Sequence, residues 1–145
     1  VVDTNIKPNI EIKQNNNFDY PDFNSKKILI VDDNKLNIKV AEILLKKYNF
    51  QIESVLSGKE CIDKINSGNN YDLIFMDYMM PEMDGIETLN NLKQIPNFET
   101  KVIALTADAI EGSKEKFLNA GFDEYISKPI DKSNLNDVIL KFIQK

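Results

Sequence analysis

Five short apolar runs, each followed by a stretch with helical spacing, constrain this chain more than any other feature of its sequence. The runs are Ile28-Leu29-Ile30-Val31, Gln51–Val55, Leu73-Ile74-Phe75-Met76, Val102-Ile103-Ala104-Leu105 and Tyr125-Ile126. Runs of about four apolar residues without polar alternation suit strands buried on both faces, as in a parallel sheet. Between them, Leu36, Val40, Ile43 and Leu44 fall at i, i+4, i+7, i+8, and Leu135, Val138, Ile139 and Phe142 at i, i+3, i+4, i+7, the stripe of a helix with one apolar face. Cys61, Ile62 and Ile65 form a shorter stripe, as do Ile86, Leu89 and Leu92. The order β-α, five times over, predicts an open α/β fold with a parallel sheet covered by helices on both sides.

The punctuation agrees with that order. Asp84-Gly85-Ile86-Glu87 reads as a capping box with Asp84 at the N-cap, and Asp131 as the N-cap of the last helix. Gly68 and Gly121 stand where helices should stop.

In an open parallel sheet, ligands bind outside the carboxyl ends of the strands, beside the point where strand order reverses. Asp32-Asp33 follow the first run, Asp77 the third, Thr106 the fourth and Lys128-Pro129 the fifth. Three carboxylates, a hydroxyl and an ammonium thus collect at one sheet edge. Singly, each has a plainer explanation: Asp32-Asp33-Asn34 as helix-capping residues, Asp77 as a turn former. Five at matching strand ends point to a cation and a phosphate. Two carboxylates ~4 Å apart repel by roughly 4 kcal/mol at an effective dielectric near 20, so the cluster needs a proton or a metal. All-oxygen donors select a hard ion, Mg²⁺ or Mn²⁺, over zinc. A carboxylate beside such an ion can attack phosphorus, with Lys128 and Thr106 holding phosphoryl oxygens.

Composition narrows the field further. The 145 residues carry 18 lysines against 23 acids, a net charge of −5, and contain no His, Arg or Trp. That excludes a Ser-His-Asp triad, histidine-ligated zinc and an arginine finger within this sequence. An acidic balance without a basic stripe predicts no nucleic-acid partner and no membrane contact. One cysteine, Cys61, rules out an intrachain disulfide and suits a reducing, cytoplasmic setting. The opening Val1-Val2-Asp3-Thr4 has neither an initiator Met nor a signal pattern, which predicts a piece of a longer chain, one that can itself be membrane-anchored. Residues 1–24 hold six Asn, two Pro and no Gly without sustained periodicity, and read as a linker or N-terminal arm ahead of a domain at 25–145. Ile6, Ile10, Ile12, Phe18, Tyr20 and Phe23 are the residues with which an ordered arm would dock.

The stretches Ile28-Leu29-Ile30-Val31-Asp32-Asp33-Asn34, Asp72-Leu73-Ile74-Phe75-Met76-Asp77-Tyr78-Met79-Met80-Pro81-Glu82-Met83-Asp84-Gly85, Ala104-Leu105-Thr106-Ala107 and Tyr125-Ile126-Ser127-Lys128-Pro129 resemble the response-regulator receiver domain of two-component signalling. Asn34 and Asn37, with the Met-Pro-Glu-Met-Asp-Gly loop, resemble receivers of hybrid sensor histidine kinases. The resemblance implies a flavodoxin-like (βα)5 fold with strand order 2-1-3-4-5. It implies that Asp77 is the phosphoacceptor and that Asp33, Asp77 and the Met79 backbone carbonyl ligate Mg²⁺ directly, with Asp32 acting through water. Lys128 would pair with the phosphoryl group, Thr106 and Tyr125 would be the switch residues, and the Lys128–Pro129 bond would be cis. On loading, Tyr125 would rotate in from solvent; a half-buried aromatic at the sheet edge accounts for a tyrosine there equally well.

Met79 and Asp108 occupy positions where receivers vary and where the lifetime of the phosphate is set. Gly112 inside the stretch Ala109–Phe117 predicts a loosely held helix. Phosphoryl donors in this family are phosphohistidines, so a histidine kinase or a histidine phosphotransfer domain is the implied partner. A receiver catalyses its own phosphorylation and dephosphorylation; the kinase of the parent chain lies outside this sequence. The end at Lys145, with no DNA-binding module after the last helix, favours a relay over a transcription factor. Two other readings stand beside this one: a receiver-like interaction module that works without phosphorylation, and a metal-dependent phosphatase. The phosphatase would want a second Asp two residues after its nucleophile, where this chain has Met79.

Overall fold

The structure, a computed structural model, describes residues 20–107 and 113–143. Five strands and five helices alternate along it: β1 (Lys27–Val31), α1 (Lys35–Lys46), β2 (Gln51–Val55), α2 (Gly58–Asn66), β3 (Leu73–Asp77), α3 (Gly85–Lys93), β4 (Lys101–Thr106), α4 (Ser113–Ala120), β5 (Glu124–Ser127) and α5 (Lys132–Phe142). All pairings are parallel and the spatial order is β2-β1-β3-β4-β5, the expected 2-1-3-4-5 arrangement. The chain therefore reverses direction across the sheet at β1 and β3, and the switch point lies between them.

The unbroken apolar runs follow from burial on both faces. Ile28 and Ile30 of β1 face one layer with Phe75, Ile103, Leu105 and the helices α1 and α5. Leu29 and Val31 face the other, with Ile74, Met76, Ala104 and residues of α2, α3 and α4 such as Cys61, Leu89 and Phe117. Each such side chain removed from water contributes ~1.5–3 kcal/mol, so a one-residue slip of a central strand gains nothing by exchanging faces.

The predicted helix signals sit where they were read. Asp84 accepts the Glu87 N–H at 2.9 Å, and Asp131 accepts that of Ser133 at 3.2 Å. Gly68 and Gly121 take φ of 96° and 110° just past α2 and α4. Leu135, Val138 and Ile139 are buried, with Phe142 packed partly against them.

The stripe expected on α1 is not the buried one. Leu36, Val40 and Ile43 are 70%, 41% and 56% exposed, and the helix faces the core with Ile38, Ala41 and Leu45 instead; of the expected stripe only Leu44, partly buried, packs against that core. The sequence of α1 holds two interleaved apolar stripes, each compatible with a helical period, and periodicity cannot rank them. The phase is set by Asn34, whose side chain caps the first turn, and by the fit of Ile38, Ala41 and Leu45 on β1.

Ahead of β1, Phe23 is buried and stacks on Phe50, while Tyr20 meets Tyr48 edge-on. Ile6, Ile10, Ile12 and Phe18 of the predicted arm lie outside the described residues, as do Asp108 and Gly112.

Candidate functional site

The strand ends deliver their side chains to one place. Asp32, the residue after β1, is fully buried; its Oδ1 accepts the Asn34 N–H at 2.9 Å and its Oδ2 lies 3.3 Å from Lys128 Nζ. Asp33 is exposed beside it. Asn34 alone caps α1, accepting the N–H groups of Leu36 and Asn37. Capping therefore does not account for the doublet, and both carboxylates stay with the site.

Asp77 ends β3, is 4% exposed, and receives Lys128 Nζ at 2.8 Å on Oδ1. Lys128 comes from the turn after β5; its N–H donates to the Thr106 carbonyl at 2.8 Å, and the bond to Pro129 is cis. Thr106, buried, ends β4 one residue beyond Leu105, which pairs with Asp77 in the sheet. Carboxylate oxygens of Asp32, Asp33 and Asp77 lie within 4.8 Å of one another. One ammonium against three carboxylates leaves two negative charges in excess, the charge of a dication, and every side-chain donor is oxygen. The residues present fit Mg²⁺ or Mn²⁺ on that chemistry.

The electrostatics follow from burial, from Lys128 and Asp32, and from a hydrogen bond that the Met79 main chain gives Asp77. Burial pushes the Asp77 carboxyl up; the Lys128 hydrogen bond opposes it, the Asp32 charge adds to it, and the net direction is upward. Burial works against the Lys128 ammonium, but the hydrogen bond and charge of Asp77, joined by Asp32, outweigh it and hold the amine above its ordinary value. Lys128 is thus a fixed cation.

Gly85 is required by close approach: a Cβ there would stand 2.7 Å from the Asp77 carbonyl oxygen. Its N–H donates to the Tyr78 carbonyl at 2.8 Å, which pins the loop after the acceptor against the start of α3. The Met79 side chain is 68% exposed. Tyr125 does not start in solvent, as rotation on loading would have it, but is the half-buried aromatic of an edge strand that the plainer reading describes. Its ring is half-buried and stacks on Phe117 of α4 (6.0 Å between centres, 27° between planes), because that fully buried ring offers it a partner. Sequence reasoning also missed a small cavity beside the acidic cluster, lined by Asn37, Val40, Leu105, Pro129 and Ile130 together with Asp32 and Lys128. Its one signal was Val40, assigned to the wrong face.

The 2-1-3-4-5 sheet and the acidic trio with its lysine at the carboxyl edge define a receiver, an α/β class whose site lies at the topological switch point. The chain belongs to the response regulator receiver domain family, whose model matches residues 28–140. It is 36% identical over 124 residues to hybrid signal transduction histidine kinase L of Dictyostelium discoideum, an overlap covering 80% of this chain and 7% of that protein. It thus spans a small part of such relatives, and what it shares with them is the receiver of a two-component phosphorelay.

Among solved structures, it is similar to the receiver domain of sensor histidine kinase PA1611 from Pseudomonas aeruginosa PAO1, with a magnesium ion coordinated in the active-site cleft. That likeness has 30% identity and a TM-score of 0.72, covering 81% of this chain and 96% of that one. It is similar also to the complex of the Saccharomyces cerevisiae histidine phosphotransfer protein Ypd1 with the receiver domain of its downstream response regulator Ssk1. There the identity is 26% and the TM-score 0.71, over 85% of this chain and 90% of that one.

Proposed function

We propose that residues 25–145 act as a phosphoacceptor receiver, taking a phosphoryl group from a phosphohistidine onto Asp77 and switching the surface around β4 and β5, with residues 1–24 as the arm that leads into it. The observation that carries this reading is the Lys128 ammonium, 2.8 Å from Asp77 and 3.3 Å from Asp32, facing three convergent carboxylates. Asp33, Asp77 and the Met79 carbonyl would hold Mg²⁺ (or Mn²⁺), with Asp32 acting through water. The bound ion offsets charge that develops on the phosphoryl oxygens. An Asp77 oxygen forms its bond to phosphorus as the bond from phosphorus to the histidine nitrogen breaks, and the electron pair leaves with the imidazole. Lys128 takes one phosphoryl oxygen as a point charge and the Thr106 hydroxyl donates to another. Phosphorylation replaces a single carboxylate charge with about two and adds acceptor oxygens, which draws Thr106 inward and biases Tyr125 toward a second position.

The chain contains no histidine, so the donor nitrogen belongs to a histidine kinase or histidine phosphotransfer domain. A cavity lined by Val40 and Ile130 adjoins Asp32 and Lys128, and Leu36, Val40 and Ile43 are exposed on α1; this apolar surface suits a histidine phosphotransfer partner, the kind of protein paired with the yeast receiver. Among the described residues no helix is long and apolar enough to cross a membrane, and the reading puts this domain on the cytoplasmic side of any anchor in a parent hybrid kinase.

Incubation with acetyl phosphate and Mg²⁺, followed by intact-mass measurement, tests the reading. A gain of a single phosphate that Asp77→Asn abolishes is expected. No gain would favour the interaction module, and fast turnover of unrelated phosphate esters the phosphatase.

A further inference from the structure

Tyr78 follows Asp77, and its ring packs against the core layer that holds Phe117. It is half-buried and meets Phe117 edge-on, with ring centres 5.0 Å apart and planes at 80°. Phe117 stacks in turn on Tyr125. Lys116, its neighbour on α4, places Nζ 4.5 Å from the centre of the Tyr78 ring. An ammonium over an aromatic face is attracted by the ring quadrupole, and edge-to-face pairs add to area burial. The main chain of Tyr78 is held from both sides: its N–H donates to the Leu105 carbonyl at 2.9 Å and its carbonyl accepts from Gly85 at 2.8 Å. With that backbone pinned, the freedom left to Tyr78 is in its ring, and the ring's partners are on α4. One helix therefore touches the residue after the acceptor and the switch aromatic through the same phenylalanine.

We propose that Tyr78 is a positioning residue of the switch: capped by Lys116, it braces Phe117 and so holds Tyr125 in its half-buried, stacked orientation until the acceptor is loaded. This rests on the switch role read above for Tyr125. By linkage the stack is a brake. Weakening it raises the resting population of the rearranged Tyr125, and loading that proceeds from that state speeds in proportion to its population.

The test uses Tyr78→Leu, which removes the ring but keeps apolar bulk, and Lys116→Gln, which takes the ammonium off the Tyr78 and Phe117 rings. Tyr78→Phe is the conservative control. Tyr125 is followed by ring NMR of carbon-13 tyrosine in the resting protein, and loading by intact mass with acetyl phosphate and Mg²⁺. Tyr78→Leu and Lys116→Gln should each move the Tyr125 signals away from the position set by the Phe117 ring current and speed loading about two- to fivefold. Tyr78→Phe should match the unaltered chain. Tyr125 signals left in place by both variants would overturn the proposal, as would faster loading with Tyr125 unmoved, which would confine Tyr78 to a local effect at the acceptor. The ring signals are read without phosphate, so they decide the matter even if the unaltered chain gains none, a result that would count against the phosphoacceptor reading instead.

Discussion

Asp77 is asked to be two things, a buried carboxylate and a nucleophile, and its surroundings show the cost of combining them. Burial and then the Asp32 charge raise its pKa against the pull of Lys128, so the folded chain keeps the proton to higher pH than the unfolded chain, where the value lies near 3.8. Below that both states are protonated and the group has no effect on stability. As pH rises from there toward the folded-state value, the unfolded chain ionises first and stability falls, and the loss is complete once the buried group ionises too. In the absence of divalent cations, Asp77→Asn is therefore expected to melt higher than the unaltered chain near neutral pH, by about 2–8 °C for each kcal/mol recovered. The difference should vanish in acid; melting curves collected across pH check both halves. Met79, two residues on, projects a 68% exposed side chain beside the acceptor. If its bulk obstructs the hydrolytic water, Met79→Asn shortens the lifetime of the phosphorylated form severalfold, and an unchanged half-life in a mass time course removes that idea.

At the scale of elements, α1 and β2 carry the informative departures. The two apolar stripes of α1 predict opposite outcomes. Leu45→Ala, in the buried stripe, should cost ~2–5 kcal/mol in urea unfolding, whereas Ile43→Ser on the exposed stripe should stay within about 0.5 kcal/mol while slowing transfer from a histidine-bearing partner. Equal costs for both would mean the helix sits in another phase. Strand β2 is an edge strand with a glutamate at its centre. Tyr71 donates its hydroxyl to Glu53 at 2.6 Å, with Lys27 at 3.1 Å and Lys64 at 3.4 Å. The Tyr71 hydrogen bond, followed by those lysines, holds the Glu53 carboxyl down to about 2, so its contribution is present above the ordinary value of 4.5 and is lost as pH falls toward about 2. Glu53→Gln should flatten that acid limb.

Neither the phase of α1 nor the partners of Glu53 were visible in the sequence. The central strands β1, β3 and β4 and the caps were legible because both-face burial leaves no polar alternation and because Asp84 and Asp131 use local geometry. The acidic cluster was legible because each member stands at a strand end. The phase of α1 and the pairing of Tyr78 with Phe117 depend on which neighbour offers a fitting surface, a contact across 39 residues that no local spacing encodes.

The site exists only when the whole sheet does. Asp32 and Asp33 come from β1, Asp77 from β3, Thr106 from β4 and Lys128 from β5, and no two of these strands in isolation bring a lysine against three carboxylates. A ligand of such a site binds the folded chain and not the unfolded one, so its binding energy becomes stability: ~2.7 kcal/mol when present at about a hundred times its dissociation constant. Saturating Mg²⁺ should accordingly raise the melting temperature of the unaltered chain, and a chelator should return it. Asp33 is the exposed member of the trio and lends little to packing, so Asp33→Asn should leave the metal-free melting temperature close to unaltered while abolishing most of the Mg²⁺-dependent rise. Calorimetry with and without the ion separates those two effects. A full Mg²⁺ response in Asp33→Asn would move the ion's site off the carboxyl edge of the sheet and with it the role given to Asp77.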